Sequence, residues 1–465
     1  MLKGPNGKAQ PYLAESWTTS ADGLDWRFRL RPGLRFHSGA PCDAEAVAAA
    51  LHRLRWGFYD NRQSWYWDPV DHVEIEPDQT LRFRLHHPCP GLSSLLWGTH
   101  TAIFNETLRS EHPGDSGSRF ADGTGPFRLR TWSPESIVAD RWHEYPGAPA
   151  RLLESAGAAP LEAVEWVAIP DQIERLQALE DGSVHCLHGP VPAEVKRLER
   201  DPRFRVIRHG QSSNFYLGLN WSRTELGFDD LRVRRGVSLA IDRERLVRAA
   251  VGGYGRGTWG PLPPWDPYYE PDADAGRKAN RQEADRLLTL AGWPRPADGI
   301  REREGKRLEF ECVVQDDDVH LRVAADLREQ LAEIGIGLVA RPTKPFKEFY
   351  AACEAGPASF INKWLWPDAM DAIIGFNASW CRPFPNAQQA SIPELDEAFH
   401  AWVRATDEQE LKTAAGRAQR LFVEHVPCIP LLTPEDIWVV DRRVRGYLPY
   451  PATLYPFYHS IRIEQ

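Results

Sequence analysis

The chain has 465 residues, 42% of them apolar and 26% charged, with a formal net charge of -9. That length exceeds what one hydrophobic core fills, so two or three lobes are expected; the composition is that of a globular protein, and no apolar run nears the roughly twenty residues of a membrane span. A negative balance spread along the chain excludes the concentrated basic face that nucleic acid requires, and seven scattered cysteines with no C-x-x-C exclude a zinc ribbon or a dense disulfide framework.

The start, "MLKGPNGKAQPYLAESW", lacks the charged, apolar and small-residue succession of a secretory signal, so no export address is expected in this chain. "WRFRL" (26–30) alternates apolar residues with arginine. Pro32-Gly33 then turns the chain and "LRF" resumes, which predicts a half-buried hairpin. Asp43 is placed to cap a helix whose Val47, Ala50, Leu51 and Leu54 share a face, and "TLRFRL" (80–85) predicts another strand. The first third therefore reads as α+β.

After the loop "DGTGPF" (122–127), "LEAVEWVAI" (161–169) predicts a strand leading into the helix "DQIERLQALEDG", ended by Glu180-Asp181-Gly182. The strand "NFYLGLN" (214–220) and the helix in "LRVRRGVSLAID" follow, then the irregular connection "GGYGRGTWGPLPP" (252–264). The helix "RQEADRLLTLAGW", strand "LEFECVV", helix "VHLRVAADLREQLAEIG" and strand "IGLVA" give the β-α-β order of an α/β lobe. Two more helices, at 392–405 and 410–425, precede a strand-like "CIPLLT" (428–433).

Several blocks in this order resemble one family. "PYLAESWTTSADGLDWRFRLRPGLRFHSGAPCDAEAV" (11–47) is similar to an A-E-S-W, hairpin, F-H-x-G and helix block; "GTGPFRLRTW" (123–132) is similar to a G-T-G-P-[FY] stretch; and "FYLGLNWSRTELGFDDLRVRRGVSLAIDRERLV" (215–247) looks like a D-D-x-R-V-R…A-I-D run. Together with "LREQLAEIGI" and "VPCIPLL" they resemble the solute-binding proteins of ABC importers in the peptide/nickel/opine class, family 5. The resemblance implies an α/β fold of two lobes around a cleft, of the type II periplasmic-binding-protein kind, with an extra α+β domain inserted in the first lobe. On that pattern, residues 1–160 form the extra domain, 161–255 with 445–465 an incomplete first lobe, and 256–444 the second lobe. The segment the family places before A-E-S-W is expected to be missing. The resemblance further implies a periplasmic or membrane-associated extracellular monomer that binds a small solute without a cofactor or chemistry, closes by a hinge and meets an ABC permease.

The stretch "FINKWLWPDAMDAIIGFNASW" (360–380) holds the residues singled out for ligand contact: Trp364, Trp366, Asp368, Asp371 and Trp380. Trp364 and Trp366 share a face if the stretch is extended, and their rings suit a ligand wall. By resemblance, a peptide binder carries a tryptophan followed three residues later by an aspartate for the ligand's amino group. Here Pro367 stands at that spacing, with Asp368 and Asp371 nearest, and Asp368 reads equally as the N-cap of a helix with Asp371 in its first turn. Asn214 and Tyr216, on one face of their strand, join the candidates at the expected crossing between lobes. A peptide-like solute is the first expectation, an oligosaccharide the second, and a ligand-sensing domain of a regulator the reading from another class. "GDSG" (114–117) lacks the double β-barrel that would make it a protease loop, and "HCLH" (185–188) reads as a surface turn before it reads as a metal site.

Overall fold

The computed structural model describes all residues except 4–8, 54–66, 68, 90, 98–100, 108–120, 148–156, 212, 297–298, 366–368, 406, 448–457 and 465. The chain packs as two compact units, Met1–His209 with Asp436–Gln465, and Gly210–Glu435. It passes from the first to the second between 209 and 210 and returns between 435 and 436.

In the first unit a four-stranded antiparallel sheet has the order Ala14–Thr19, Asp25–Leu30, Leu81–Leu85, Val70–Ile75. The strand at 25–30 forms its hairpin with 14–19, across the turn containing Gly23 at φ 70°, and not with the residues after Pro32-Gly33. Of those later residues Arg35 makes only an isolated bridge to Pro41, because His37, Ser38 and the following turn are held by other bonds. Alternation puts Trp26, Phe28, Leu81 and Phe83 into one core with the helix Ala44–His52, which Asp43 caps by accepting the Ala46 N–H at 3.0 Å. A three-stranded sheet follows, of Phe127–Trp132, Ser136–Arg141 and Ala163–Val167. The helix Gln172–Glu180, capped by Asp171, packs Leu176 and Leu179 against Leu187, Leu198, Phe204 and Val439.

The second unit is a sheet between two helical layers. Its strands are β1 (Ser213–Leu219), β2 (Glu309–Gln315), β3 (Gly337–Thr343), β4 (Ser359–Leu365) and the leading part of β5 (Ile429–Asp441), which belongs to this unit as far as Glu435. The order across the sheet is β5-β1-β4-β2-β3; β2 is parallel to β3 and β4, and β1 is antiparallel to β4 and β5. β1 is buried along its whole length, as a strand covered on both faces must be. Phe215, Leu217 and Leu219 enter the core formed with helices Leu231–Ala240, Arg243–Val251 and Asp318–Ala332, whereas Tyr216 enters the core formed with helices Phe346–Glu354, Ala369–Asn377, Pro393–Arg404 and Glu408–His425. Gly218 is required here: a Cβ would stand 2.3 Å from Cζ of Phe360, its partner across the strands. Residues 210–255, assigned from the sequence to the first lobe, contribute this central strand and two of its covering helices, so they cluster with the second unit.

Candidate functional site

Parallel strands in an open α/β sheet end where connecting loops diverge, and ligands collect at the carboxyl ends of such strands. In the second unit four strands point the same way: β2, β3, β4 and β5. Gln315 and Thr343 are register partners at their carboxyl ends, and Leu365 ends β4 opposite Ser213, which begins β1. Both chain crossings lie at this same edge, since residue 210 precedes β1 and Glu435 follows the paired part of β5. The edge is thus where β2, β3 and β4 end and where both connections to the rest of the chain depart, β5 continuing through one of them.

Side chains at the edge are polar and aromatic. Lys344, one residue beyond β3, holds its ammonium 3.3 Å from the Asp316 carboxylate, one residue beyond β2, and is itself 73% exposed. Phe346, at the start of helix Phe346–Glu354, leaves 56% of its surface exposed and meets Tyr350 edge-on at 4.6 Å between ring centroids. Inward from these, Gln315 Nε2 donates to Asn362 Oδ1 at 3.5 Å and Asn362 Nδ2 donates to the Tyr216 hydroxyl at 3.2 Å. Burial pushes the Tyr216 phenol up, so it stays a neutral hydrogen-bonding group. Asp317 faces the other way: it caps helix Asp318–Ala332 and binds the His320 ring at 2.7 Å. Burial alone would raise its carboxyl, but the His320 ring and two helix N–H groups outweigh that and hold it below the usual range.

The residues singled out from the sequence are placed unevenly. Asn214, Tyr216 and Trp364 lie together on one face of β1 and β4, Asn214 and Trp364 being register partners. Trp364 is 1% exposed, stacked on Tyr216 at 4.6 Å and on Phe376 at 6.3 Å. Asn214 is fully buried; it accepts from Thr258 Oγ1 at 2.9 Å and donates to the carbonyls of Gly260 and Pro261, so its amide anchors the connection at 258–261. Trp380 is 42% exposed and stacks on His400 at 4.3 Å, on the helix Pro393–Arg404. Trp366 and Asp368 lie outside the described residues. Asp371 is in the first turn of helix Ala369–Asn377, though its side chain is not among those described. Sequence reasoning missed Asp316, Lys344 and Phe346; the available signal was that each sits within three residues after a parallel strand.

The other motifs have structural partners. In the first unit Asp122 accepts from Ser38 N at 2.8 Å, Ser38 Oγ at 2.6 Å and Asn105 Nδ2 at 2.8 Å, while His37 binds the carbonyls of Gly123 and Gly125. The F-H-S-G and G-T-G-P stretches are therefore two halves of one knot. Cys186–His188 is a strand and not a turn, with His188 on the Asp436 carboxylate and stacked on Trp438 at 4.1 Å. "GDSG" lies outside the described residues. Among the described residues no group of three His, Cys, Asp or Glu side chains is arranged to hold a metal ion, and no helix is long and apolar enough to cross a membrane.

Residues 8–382 match the family described as bacterial extracellular solute-binding proteins, family 5 Middle. The chain is 24% identical over 474 residues to the glutathione-binding protein GsiB of Pectobacterium atrosepticum, covering 96% of this chain and 84% of that one. Its fold matches that of the oligopeptide-binding protein AppA from Bacillus subtilis, solved with a nonapeptide, at a TM-score of 0.85 and 20% identity, over 100% of this chain and 92% of that one. It also matches the periplasmic binding protein DppA from Helicobacter pylori, solved with the peptide STSA, at a TM-score of 0.84 and 21% identity, over 100% and 91% of the two chains.

Proposed function

This chain belongs to family 5 of the bacterial extracellular solute-binding proteins, and from that premise we propose that it is the solute-binding component of an ABC importer for a peptide-like ligand. The solute is held at the carboxyl-end edge of the second unit's sheet, and the protein closes on it by a hinge motion at the two chain crossings before meeting a membrane permease. The observation that carries this reading is that β2, β3 and β4 end on one edge from which both crossings also leave, β5 running on through one of them. The ligands of the relatives, glutathione and two peptides, support a peptide-like solute over a sugar.

At the edge, Asp316 and Lys344 offer one charge of each sign, which suits a zwitterionic backbone, and Phe346 offers a ring face. Shifting a hinge equilibrium from mostly open to mostly closed takes about 5.5 kcal/mol of preference for the closed form. A few charge-assisted hydrogen bonds with one desolvated aromatic contact reach that range, so no bond need be made or broken. Function outside the membrane as a monomer, free of nucleic acid, belongs to the same reading.

The ligand class is tested by melting the protein with dipeptides, oligopeptides, glutathione, maltose and cellobiose. A ligand at one hundred times its dissociation constant adds about 2.7 kcal/mol, which raises Tm by about 5 °C or more. Peptides or glutathione are expected to produce that rise, and the two sugars none. A rise with a sugar and with no peptide would overturn the peptide reading in favour of an oligosaccharide binder.

A further inference from the structure

The second unit also carries a cavity of about 450 Å³ that the edge described above does not include. Cys428 and Pro430 border it at the start of β5; the rise from Pro430 to Glu435 is roughly 17 Å. Arg235, Asp272, Arg277 and Glu424 supply its charge, and Trp259 and Phe422 part of its apolar surface.

The charges are arranged unusually. Arg235 spends one N–H on the carbonyl of Glu424 at 2.7 Å, and Arg277 spends its Nε–H on the carbonyl of Ala273 at 2.9 Å. Neither guanidinium is in an ion pair among the described residues, and neither is the side-chain carboxylate of Asp272 or Glu424. A fifth charged group on the cavity, Arg420, is already neutralised by Glu270. Arg277 is pushed below its ordinary pKa first by burial and also by the positive charge of Arg235, against the pull of Asp274. The pull of the nearby Asp274 carboxylate outweighs the push of Arg235, so burial is what leaves Arg277 less well stabilised as a cation, and Asp274 is already bonded by the Trp259 and Gly260 N–H groups. Two cations and two anions sum to zero, so a simple anion would satisfy one pair and be repelled by the other; a simple cation would meet the reverse problem.

We propose that this cavity is a second solute site, for a small zwitterion of the free amino-acid class. The ligand carboxylate lies between Arg235 and Arg277, its ammonium faces Asp272 and Glu424, and an aliphatic side chain covers Trp259 and Phe422. Guanidinium groups match a carboxylate in shape, and the indole of Trp259, which carries the Arg243 guanidinium 3.6 Å from its ring centroid, is held rigidly beside them. This site is independent of the peptide reading and neither depends on the other.

The test is isothermal titration of the full chain with L-leucine and with its two halves, 4-methylpentanoate and 3-methylbutylamine, at constant ionic strength and pH 7. Leucine is expected to bind with a dissociation constant of about 1 mM, as suits partly exposed charge pairs, and each half at least about tenfold more weakly. Arg277→Gln and Asp272→Asn are each expected to weaken leucine by about fivefold or more with Tm unchanged, whereas Phe346→Ala leaves leucine binding as it was. The proposal is overturned if leucine does not bind at 20-fold that concentration, if 4-methylpentanoate binds as tightly as leucine, or if Arg277→Gln binds leucine normally. Loss of leucine binding in Phe346→Ala alone would overturn it too, by moving leucine to the carboxyl-end edge.

Discussion

Trp364→Ala is expected to lower the unfolding free energy by about 4 kcal/mol. The indole is 1% exposed and packs against Tyr216 and Phe376, which also touch each other, so truncation removes the transfer energy of a large ring and leaves a cavity in the core. Its Nε1–H is buried with no acceptor among the described residues, and an unmet donor is costly. Trp364→Phe should therefore lose much less than Trp364→Ala, because it keeps a ring and removes that donor. Urea denaturation followed by far-UV circular dichroism measures both. A loss below about 1 kcal/mol in Trp364→Ala would mean that the ring faces open space, and would return it to the ligand wall that its neighbourhood in the sequence suggests.

Arg243→Met should cost a similar amount, about 4 kcal/mol, for a different reason. The Arg243 side chain is 4% exposed and donates to the carbonyls of Thr258 at 2.7 Å, Pro430 at 3.0 Å, Ser238 at 3.0 Å and Ile241 at 3.3 Å, and to Ser238 Oγ at 3.1 Å. Methionine fills most of the volume but returns none of these bonds, leaving buried acceptors without donors. For a unit of this size the loss corresponds to a Tm lower by about 10 °C. Arg235→Met, eight residues earlier and exposed, serves as the control and should change stability by less than about 0.5 kcal/mol. Equal stability of Arg243→Met and wild type in a calorimetric scan would show that the connection at 255–261 does not need this arginine to stay in place.

Local signals made much of the architecture legible. Asp43 before "AEAVAAALH" and Asp171 before "QIERLQALE" cap helices where their side-chain chemistry requires, and "LRFRL" alternates because one face of its sheet is core. The ordered blocks along the chain were enough to name the family, which the match over residues 8–382 then shows. Helix Phe346–Glu354 was missed because its N-cap is Pro345, which offers no side-chain acceptor, so nothing announces the start. The hairpin partner of Asp25–Leu30 was misread because Pro32-Gly33 is a stronger punctuation mark than Asp22-Gly23, although only the latter turn joins two long paired strands.

The candidate site was less legible than the fold. Aromatic residues are used both for cores and for ligand walls, and nothing within "INKWLW" tells whether Trp364 faces helix Ala369–Asn377 or solvent; that is decided by Phe376 on that helix and by Tyr216, far away in the chain. Asn214 reads as a ligand contact in isolation, yet its amide is consumed by the connection at 258–261. Lys344 and Asp316 become neighbours only because β2 and β3 are parallel and in register, a relation no local pattern encodes. Loops at strand ends escape a reading based on periodicity, since they have none.

The carboxyl-end edge of the second unit is the proposed seat of the solute. Phe346 tests it most directly, because it is 56% exposed and its replacement removes ligand surface without opening the core, which Trp364→Ala would not allow. The measurement is isothermal titration of the peptide giving the largest thermal shift, in wild type and in Phe346→Ala at matched Tm. Affinity is expected to weaken by about tenfold, the loss of one desolvated aromatic contact; equal affinity in the two proteins would mean that the solute is held elsewhere.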